Sequence, residues 1–321
     1  MNQNSVNTSY YTHFHSLGQF GQGSIDPRNG HLRFESQAFT DPDNCMPMNI
    51  KHLYNSAMSP NSIIQLETAD FSTMKLGNGF KLNIMQSVMP TTFQHNGVLY
   101  NGYVYIGANG EHVYFKERSC NVTLETRSYS HNFFEDARGS GQLYDPKHRM
   151  LIKGDGVYLF DKTGRLIRVL DNCDNYMDIV YVNDRITTVS DAAGRKFHFV
   201  YADGYLTKII APDNTCVEYE YHNGMLSIIA YPDGTKAVIC YTLSNSKPYL
   251  ISLSDKNGHY FFKMGYVFNG DRLESRSEYT TEDGVPLMKA KYTYSYCMAT
   301  NGTIIEISEQ KTEDICGSIV L

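Results

Sequence analysis

The chain has 321 residues, 41% of them hydrophobic, and a formal net charge of −6. That is long and apolar enough to bury a sizeable core, yet no run of ~18 apolar residues offers a membrane-spanning helix. Its 28 Lys and Arg are scattered among 34 Asp and Glu, which argues against a nucleic-acid groove.

Residues 1–22 read as a polar tail. Met1 to Phe20 lacks the basic and apolar regions of a signal peptide, so cytoplasmic residence or export by a specialised route is expected. Residues 23–150 read as an N-terminal β region. Aromatics favour that class throughout: 25 Tyr and 16 Phe, with no Trp, suit pleated sheet, where flat rings pack on cross-strand neighbours.

Residues 151–300 carry an internal repeat, and 301–321 a closing strand and tail. Tyr181, Tyr201, Tyr221 and Tyr241 lie 20 residues apart. The apolar residues Leu166, Ile186, Leu206 and Leu226 keep the same step, and so do the turn residues Gly194, Asn214 and Gly234. Three markers in one register define stacked copies of one supersecondary unit. In one copy, Leu206 to Ile210 is a short strand and Ala211-Pro212-Asp213-Asn214 a turn. Val217 to Tyr221 alternates apolar and charged, and Asn223-Gly224 makes a tight hairpin. The alternation puts Phe197, Phe199, Tyr201, Val217, Tyr219 and Tyr221 on one apolar face, with Asp178, Lys196, His198, Glu218 and Glu220 on the wet one. The pattern weakens downstream, through Asp255 to Gly258, Tyr260 to Tyr266 and Arg272-Leu273, to a last hairpin around Tyr292 and Ile304. The expected fold is all-β, a long antiparallel hairpin-repeat ribbon curling into a partial shell.

The runs Phe160-Asp161-Lys162-Thr163-Gly164-Arg165-Leu166, Tyr181-Val182-Asn183-Asp184-Arg185-Ile186 and Tyr231-Pro232-Asp233-Gly234-Thr235 resemble the Rhs/YD-repeat family. Its motif is a strand-closing Tyr, a short Asp/Gly/Asn turn, an Arg-Leu restart and an Asp-x-x-Gly turn. Ser24 to Gly30, Leu53 to Ser56 and Leu76 to Leu82 resemble segments that precede the repeats in that family, with Phe80 where Trp is usual. The resemblance implies a hollow β-shell of the kind that encloses a toxin, or serves adhesion in teneurins. Toxin-bearing members cleave themselves at Asp-Pro-x-Gly. This chain departs there: Asp26-Pro27, Asp41-Pro42 and Asp145-Pro146 all lack that continuation.

Candidate chemistry is sparse. His13 and His15 form an H-x-H pair, but that spacing is common, and no metal or other cofactor is expected. Glu218 and Glu220 could pair as hydrolase carboxylates; any strand gives that spacing, so a solvated face is the plainer reading. The glycines from Gly18 to Gly23 read as linker rather than phosphate loop, and there is no H-E-x-x-H or Ser-x-Gly elbow. Asn7, Asn121 and Asn301 head glycosylation sequons. The seven cysteines, Cys45, Cys120, Cys173, Cys216, Cys240, Cys297 and Cys316, are expected to be reduced and buried. The expected function is a non-enzymatic shell or scaffold whose partner is a toxic polypeptide, a second shell chain or another copy of itself. The alternative is adhesion or glycan binding on a Tyr-rich sheet, with a hydrolase behind both. No catalytic residue is assigned.

Overall fold

The structure is a computed structural model. It describes residues 15–16, 21–25, 32–39, 48–56, 74–95, 98–108, 112–116, 123–130, 132–134, 142–144, 150–153, 156–171, 173, 175–244, 247–255, 257–267, 272–282, 285–298, 300 and 304–313. His13, Cys45, Cys120, Cys316, the three sequon asparagines, the Asp-Pro pairs and most of the 1–22 tail lie outside them.

Five strands form an N-terminal antiparallel sheet in sequence order: β1 His15–Ser16, β2 Gln22–Ile25, β3 Leu32–Phe39, β4 Ile50–Asn55 and β5 Phe80–Leu82. A meander follows, β6 Ser87–His95, β7 Val98–Ile106, β8 His112–Lys116 and β9 Thr123–Ser130, with short β10 Asn132–Phe134 and β11 Gln142–Tyr144. β9 pairs with β11, which leads into the array. The array begins with β12 Met150–Lys153, β13 Gly156–Phe160 and β14 Leu166–Leu170. Its regular part is β15 Tyr176–Val182, β16 Arg185–Asp191, β17 Lys196–Ala202, β18 Tyr205–Ile210, β19 Cys216–His222 and β20 Met225–Ala230. It ends in longer strands, β21 Lys236–Ser244, β22 Lys247–Ser254, β23 Tyr260–Val267, β24 Arg272–Glu282, β25 Val285–Met298 and β26 Ile304–Glu313. Each pairs antiparallel with the next, so the hairpin ribbon expected from the 20-residue register is what forms. Strand order sets β6 beside β26, but no ladder register joins them among the described residues, and the ribbon is curled rather than closed.

Each hairpin of the regular part turns on two left-handed residues, Asn183-Asp184, Asp203-Gly204 and Asn223-Gly224. Paired positive φ values are the geometry whose twist matches the flanking strands. The opposite ends are five-residue turns closed by a backbone bond, as Tyr231 N–H to Thr235 C=O at 2.9 Å.

The N-terminal region splits between two roles. The meander β6–β9 joins the ribbon, whereas β3–β5 lie against the ribbon's apolar face. Leu32, Phe34, Ser36 and Ala38 alternate inward along β3, and one continuous core runs from them through Ile50, Tyr54 and Leu82 to Leu206, Tyr219, Leu250 and Phe262. Phe34 meets Phe262 at 5.9 Å between ring centroids, and Phe39 meets Phe197 at 5.2 Å. Burying two apolar sheet faces against each other supplies the main driving force, at about 25 cal/mol per Å².

Candidate functional site: the inner face of the ribbon

The repeat residues come together at a bulge that recurs once per copy. Tyr181 lies opposite Ile186, Tyr201 opposite Leu206, Tyr221 opposite Leu226 and Tyr241 opposite Leu250, with one extra residue on the second strand each time. The extra residues are Thr187, Thr207, Ser227 and Ile251. Phe160 and Leu166 make the same arrangement at the start. A bulge lets side chains three apart share a face. Thus Ile186 and Val189, Leu206 and Ile209, and Leu226 and Ile229 are all buried, where strict alternation would expose one of each pair.

The polar groups freed at the bulge are taken up in three ways. The hydroxyls of Thr187, Thr207 and Ser227 donate to the carbonyls of Val180, Val200 and Glu220 at 3.3, 3.1 and 2.9 Å. The tyrosine hydroxyls donate to carbonyls of the copy before: Tyr181 to Leu166 at 3.1 Å, Tyr221 to Leu206 at 2.6 Å and Tyr241 to Leu226 at 2.8 Å. Tyr266 does the same to Leu250 at 2.7 Å. Tyr201 is the exception, for its hydroxyl is buried with no partner. The backbone N–H groups of the apolar residues are met from outside the ribbon. Leu166 N–H donates to Gln86 C=O at 3.0 Å and Leu206 N–H to Lys75 C=O at 2.9 Å. Ile186 N–H donates to Met74 Sδ at 2.9 Å and Leu250 N–H to Tyr54 Oη at 3.1 Å. Gly77 sits so close over Leu226 that an added Cβ would stand 2.7 Å from its backbone nitrogen, and its φ of +91° favours glycine besides. One buried backbone donor per copy would otherwise go unpaired, at a cost of about 1–3 kcal/mol each. The segment 74–86 therefore fits the ribbon by meeting its freed amides.

The repeat tyrosines are partly buried against the core, and desolvation pushes the phenols of Tyr181, Tyr201 and Tyr221 well above their ordinary value. Gly194 and Gly234 stand in the five-residue turns with φ of 80° and open space around them. There a carboxylate organises the backbone. Asp161 Oδ1 accepts from Thr163 N–H and Arg165 N–H, both at 2.9 Å. Burial pushes the Asp161 carboxyl up, but the bonds from Thr163 and Arg165 outweigh it and hold it below its usual value. Asp191 and Asp255 repeat the arrangement with Arg195 and His259. Where the first turn position is Ala211 or Tyr231, Asp213 and Asp233 take over and accept from Thr215 and Thr235.

The wet face is ion-paired. Lys208 reaches Glu218 at 2.5 Å, Lys236 reaches Glu220 at 3.4 Å, and Arg168 pairs with Asp178. Glu218 and Glu220 each face a lysine rather than a cleft. The expectation of buried thiols is corrected here. Cys173, Cys240 and Cys297 are free and exposed and Cys216 is partly so, because they fall in a turn or on outward positions of their strands. No group of three or more His, Cys, Asp or Glu with metal-binding geometry occurs among the described residues, and no helix among them is long and apolar enough to cross a membrane.

No family model matches the sequence. No curated protein matches it either. Among solved structures the chain is similar to one in TcdB2-TccC3 without its hypervariable C-terminal region, at 10% identity and a TM-score of 0.31, covering 91% of this chain and 15% of that one. For a chain of the Photorhabdus luminescens Tc holotoxin pore the values are 9% and 0.29, over 91% of this chain and 18% of that one. For TcdB2-TccC3-TEV they are 9% and 0.27, over 87% and 17%. Likenesses this distant carry no argument about function, and the chain spans less than a fifth of those proteins.

Proposed function

We propose that this chain is a non-enzymatic shell or scaffold segment of the Rhs/YD-repeat type, whose working surface is the inner, apolar face of the ribbon. The observation that carries the reading is the row of bulge amides. They donate to a backbone carbonyl, a thioether or a phenol oxygen alike, so the face holds a polypeptide by backbone geometry and apolar filling. In this chain the resident polypeptide is its own N-terminal sheet. A toxic polypeptide or a second shell chain is the partner the face suits, and the seam between β6 and β26 is where another chain or copy would extend the shell. The repeat tyrosines, the feature that suggested glycan stacking, are partly buried, and all but Tyr201 spend their hydroxyls on carbonyls, which weighs for the scaffold. Co-expression with the product of the neighbouring gene, followed by size-exclusion chromatography with light scattering, tests it. A stable complex of defined stoichiometry is expected. A chain that stays monomeric, ignores that product and is retained by a glycan array would replace this reading with the binding module.

A further inference from the structure

Besides the acceptors that meet the bulge amides, the contact between the two sheets buries a further polar cluster. There Ser36 Oγ lies 2.9 Å from His52 Nδ1, and His52 Nε2 lies 2.7 Å from the Tyr219 hydroxyl. The imidazole and phenol rings meet edge to face at 5.4 Å. Ser36, His52 and Tyr219 are 2%, 0% and 5% exposed. A hydrogen bond between Ser36 and Tyr231 extends the chain to the turn after β20. Ser36 and His52 belong to the N-terminal sheet, Tyr219 and Tyr231 to the ribbon. One buried ring thus spends one nitrogen within its own sheet and the other across the interface.

Among the described residues, nothing facing this ring offers a negative charge. Ser36 comes from β3, Leu82 is the ladder partner from β5, and Tyr219 comes from β19. The carboxylates of the same elements point away. Glu35 pairs with Lys51 at 3.3 Å on the other face of the N-terminal sheet, while Glu218 and Glu220 pair with lysines outside the ribbon. The nearest buried cation by sequence on β5, Lys81, donates to the carbonyls of Met85 and Gly107 at 3.0 and 2.6 Å and adds positive charge. Two hydroxyls can accept from a doubly protonated imidazole, so the hydrogen bonds would survive protonation. The charge would not be compensated, and an uncompensated buried cation is strongly disfavoured.

From this arrangement we infer that the Ser36–His52–Tyr219 contact is an acid-sensitive latch, in which proton uptake at His52 releases the N-terminal sheet from the inner face of the ribbon. Release hydrates the ring without breaking the ladder of either sheet. The contacts between them are lost, the amide acceptors at Tyr54, Met74, Lys75 and Gln86 and the apolar packing of Phe34 on Phe262 and Phe39 on Phe197. Desolvation holds His52 down to about 3 from an ordinary 6.5. The sign follows. Above pH 6.5 the ring is neutral docked or released, and docking is at full strength. As pH falls from 6.5 towards about 3 the released form binds the proton and the docked form does not, so docking weakens about tenfold per pH unit. The inference rests on the docked geometry, not on the identity of any partner.

The test follows binding of a hydrophobic dye and far-UV circular dichroism of the full chain through that pH window, beside His52→Gln, whose amide stays neutral. For the parent chain dye binding is expected to rise below pH 6.5 while the strand signal persists. For His52→Gln the rise should be absent or displaced to lower pH. A parent chain silent to the dye throughout the window, a variant with the same profile, or strand signal lost together with dye uptake would each overturn the latch. If His52→Gln does not fold, the His52 ring proton resonances of the parent chain decide. Titration coincident with dye uptake supports the latch, and titration near 6.5 with no dye uptake refutes it. Failure here leaves the scaffold reading standing, since that reading is tested by complex formation at neutral pH.

Discussion

Between Tyr176 and Tyr241 the chain buries its core by repetition; between Leu32 and Leu82 it does so by unrelated means. In the array, Ile186, Leu206 and Leu226 occupy the same niche, each fully buried beside a bulge, and the next tyrosine's hydroxyl donates to the carbonyls of Leu206 and Leu226. In the N-terminal sheet, Leu32, Ile50, Tyr54 and Leu82 are as well buried, yet no two share an environment. The difference shows a division of labour. Repetition builds a long surface with one spare donor per copy, and the non-repeating N-terminal region supplies the acceptors that finish it, from Tyr54 and the segment 74–86. Four kinds of measurement would break or sharpen that contrast.

The largest effect expected is the pH response of His52. Integrated from 6.5 down to about 3, the depressed imidazole removes roughly 5 kcal/mol of stability, all of it present above 6.5. Urea midpoints measured across that window should fall steeply for the parent chain and much less for His52→Gln. Next come truncations in the core. Ile186→Ala, Leu206→Ala and Leu226→Ala should each cost about 2–5 kcal/mol and agree with one another within about 1 kcal/mol. Leu32→Ala, Ile50→Ala and Leu82→Ala should scatter over the whole range. Equal scatter in both sets would show that the copies are not energetically equivalent.

The tyrosines give a finer contrast. Tyr221→Phe leaves Leu206 C=O without its donor and should cost about 1 kcal/mol by denaturant unfolding. Tyr201→Phe removes a buried hydroxyl that has no partner, and should be neutral or slightly stabilising. The smallest effect concerns the bulge hydroxyl. Thr207→Val should cost at most about 1 kcal/mol, and Thr207→Ser should restore most of it, since only the Oγ–H to Val200 C=O is at stake.

Much of the array was legible in the sequence because its signals are local and repeat. The 20-residue step of Tyr181, Tyr201 and Tyr221 marks the strand closings, and Asn223-Gly224 announces its own turn. The bulge was less legible. Thr187, Thr207 and Ser227 keep the same step as the tyrosines, yet a hydroxyl on a strand has many uses, and only the shifted register explains why Leu206 and Ile209 are buried together. Alternation alone pairs Leu206 with Lys208. The outward cysteines were misread because Cys is usually buried, whereas Cys240 falls where Val180, Val200 and Glu220 also point outward. The docking of the N-terminal sheet was not legible. Its decisive contacts, His52 to Tyr219 and Tyr54 to Leu250, join residues 167 and 196 positions apart, and no periodicity links them.

The central claim is that the chain's own N-terminal segment occupies the inner face and completes the bulge amides. Native-state hydrogen exchange resolved by residue tests it most directly. The amides of Leu166, Leu206 and Leu250, which donate out of the ribbon to Gln86, Lys75 and Tyr54, should exchange as slowly as their ladder neighbours Val169, Ile209 and Leu253. Exchange of those three amides at the rate of the exposed turns, with the neighbours still protected, would contradict the account.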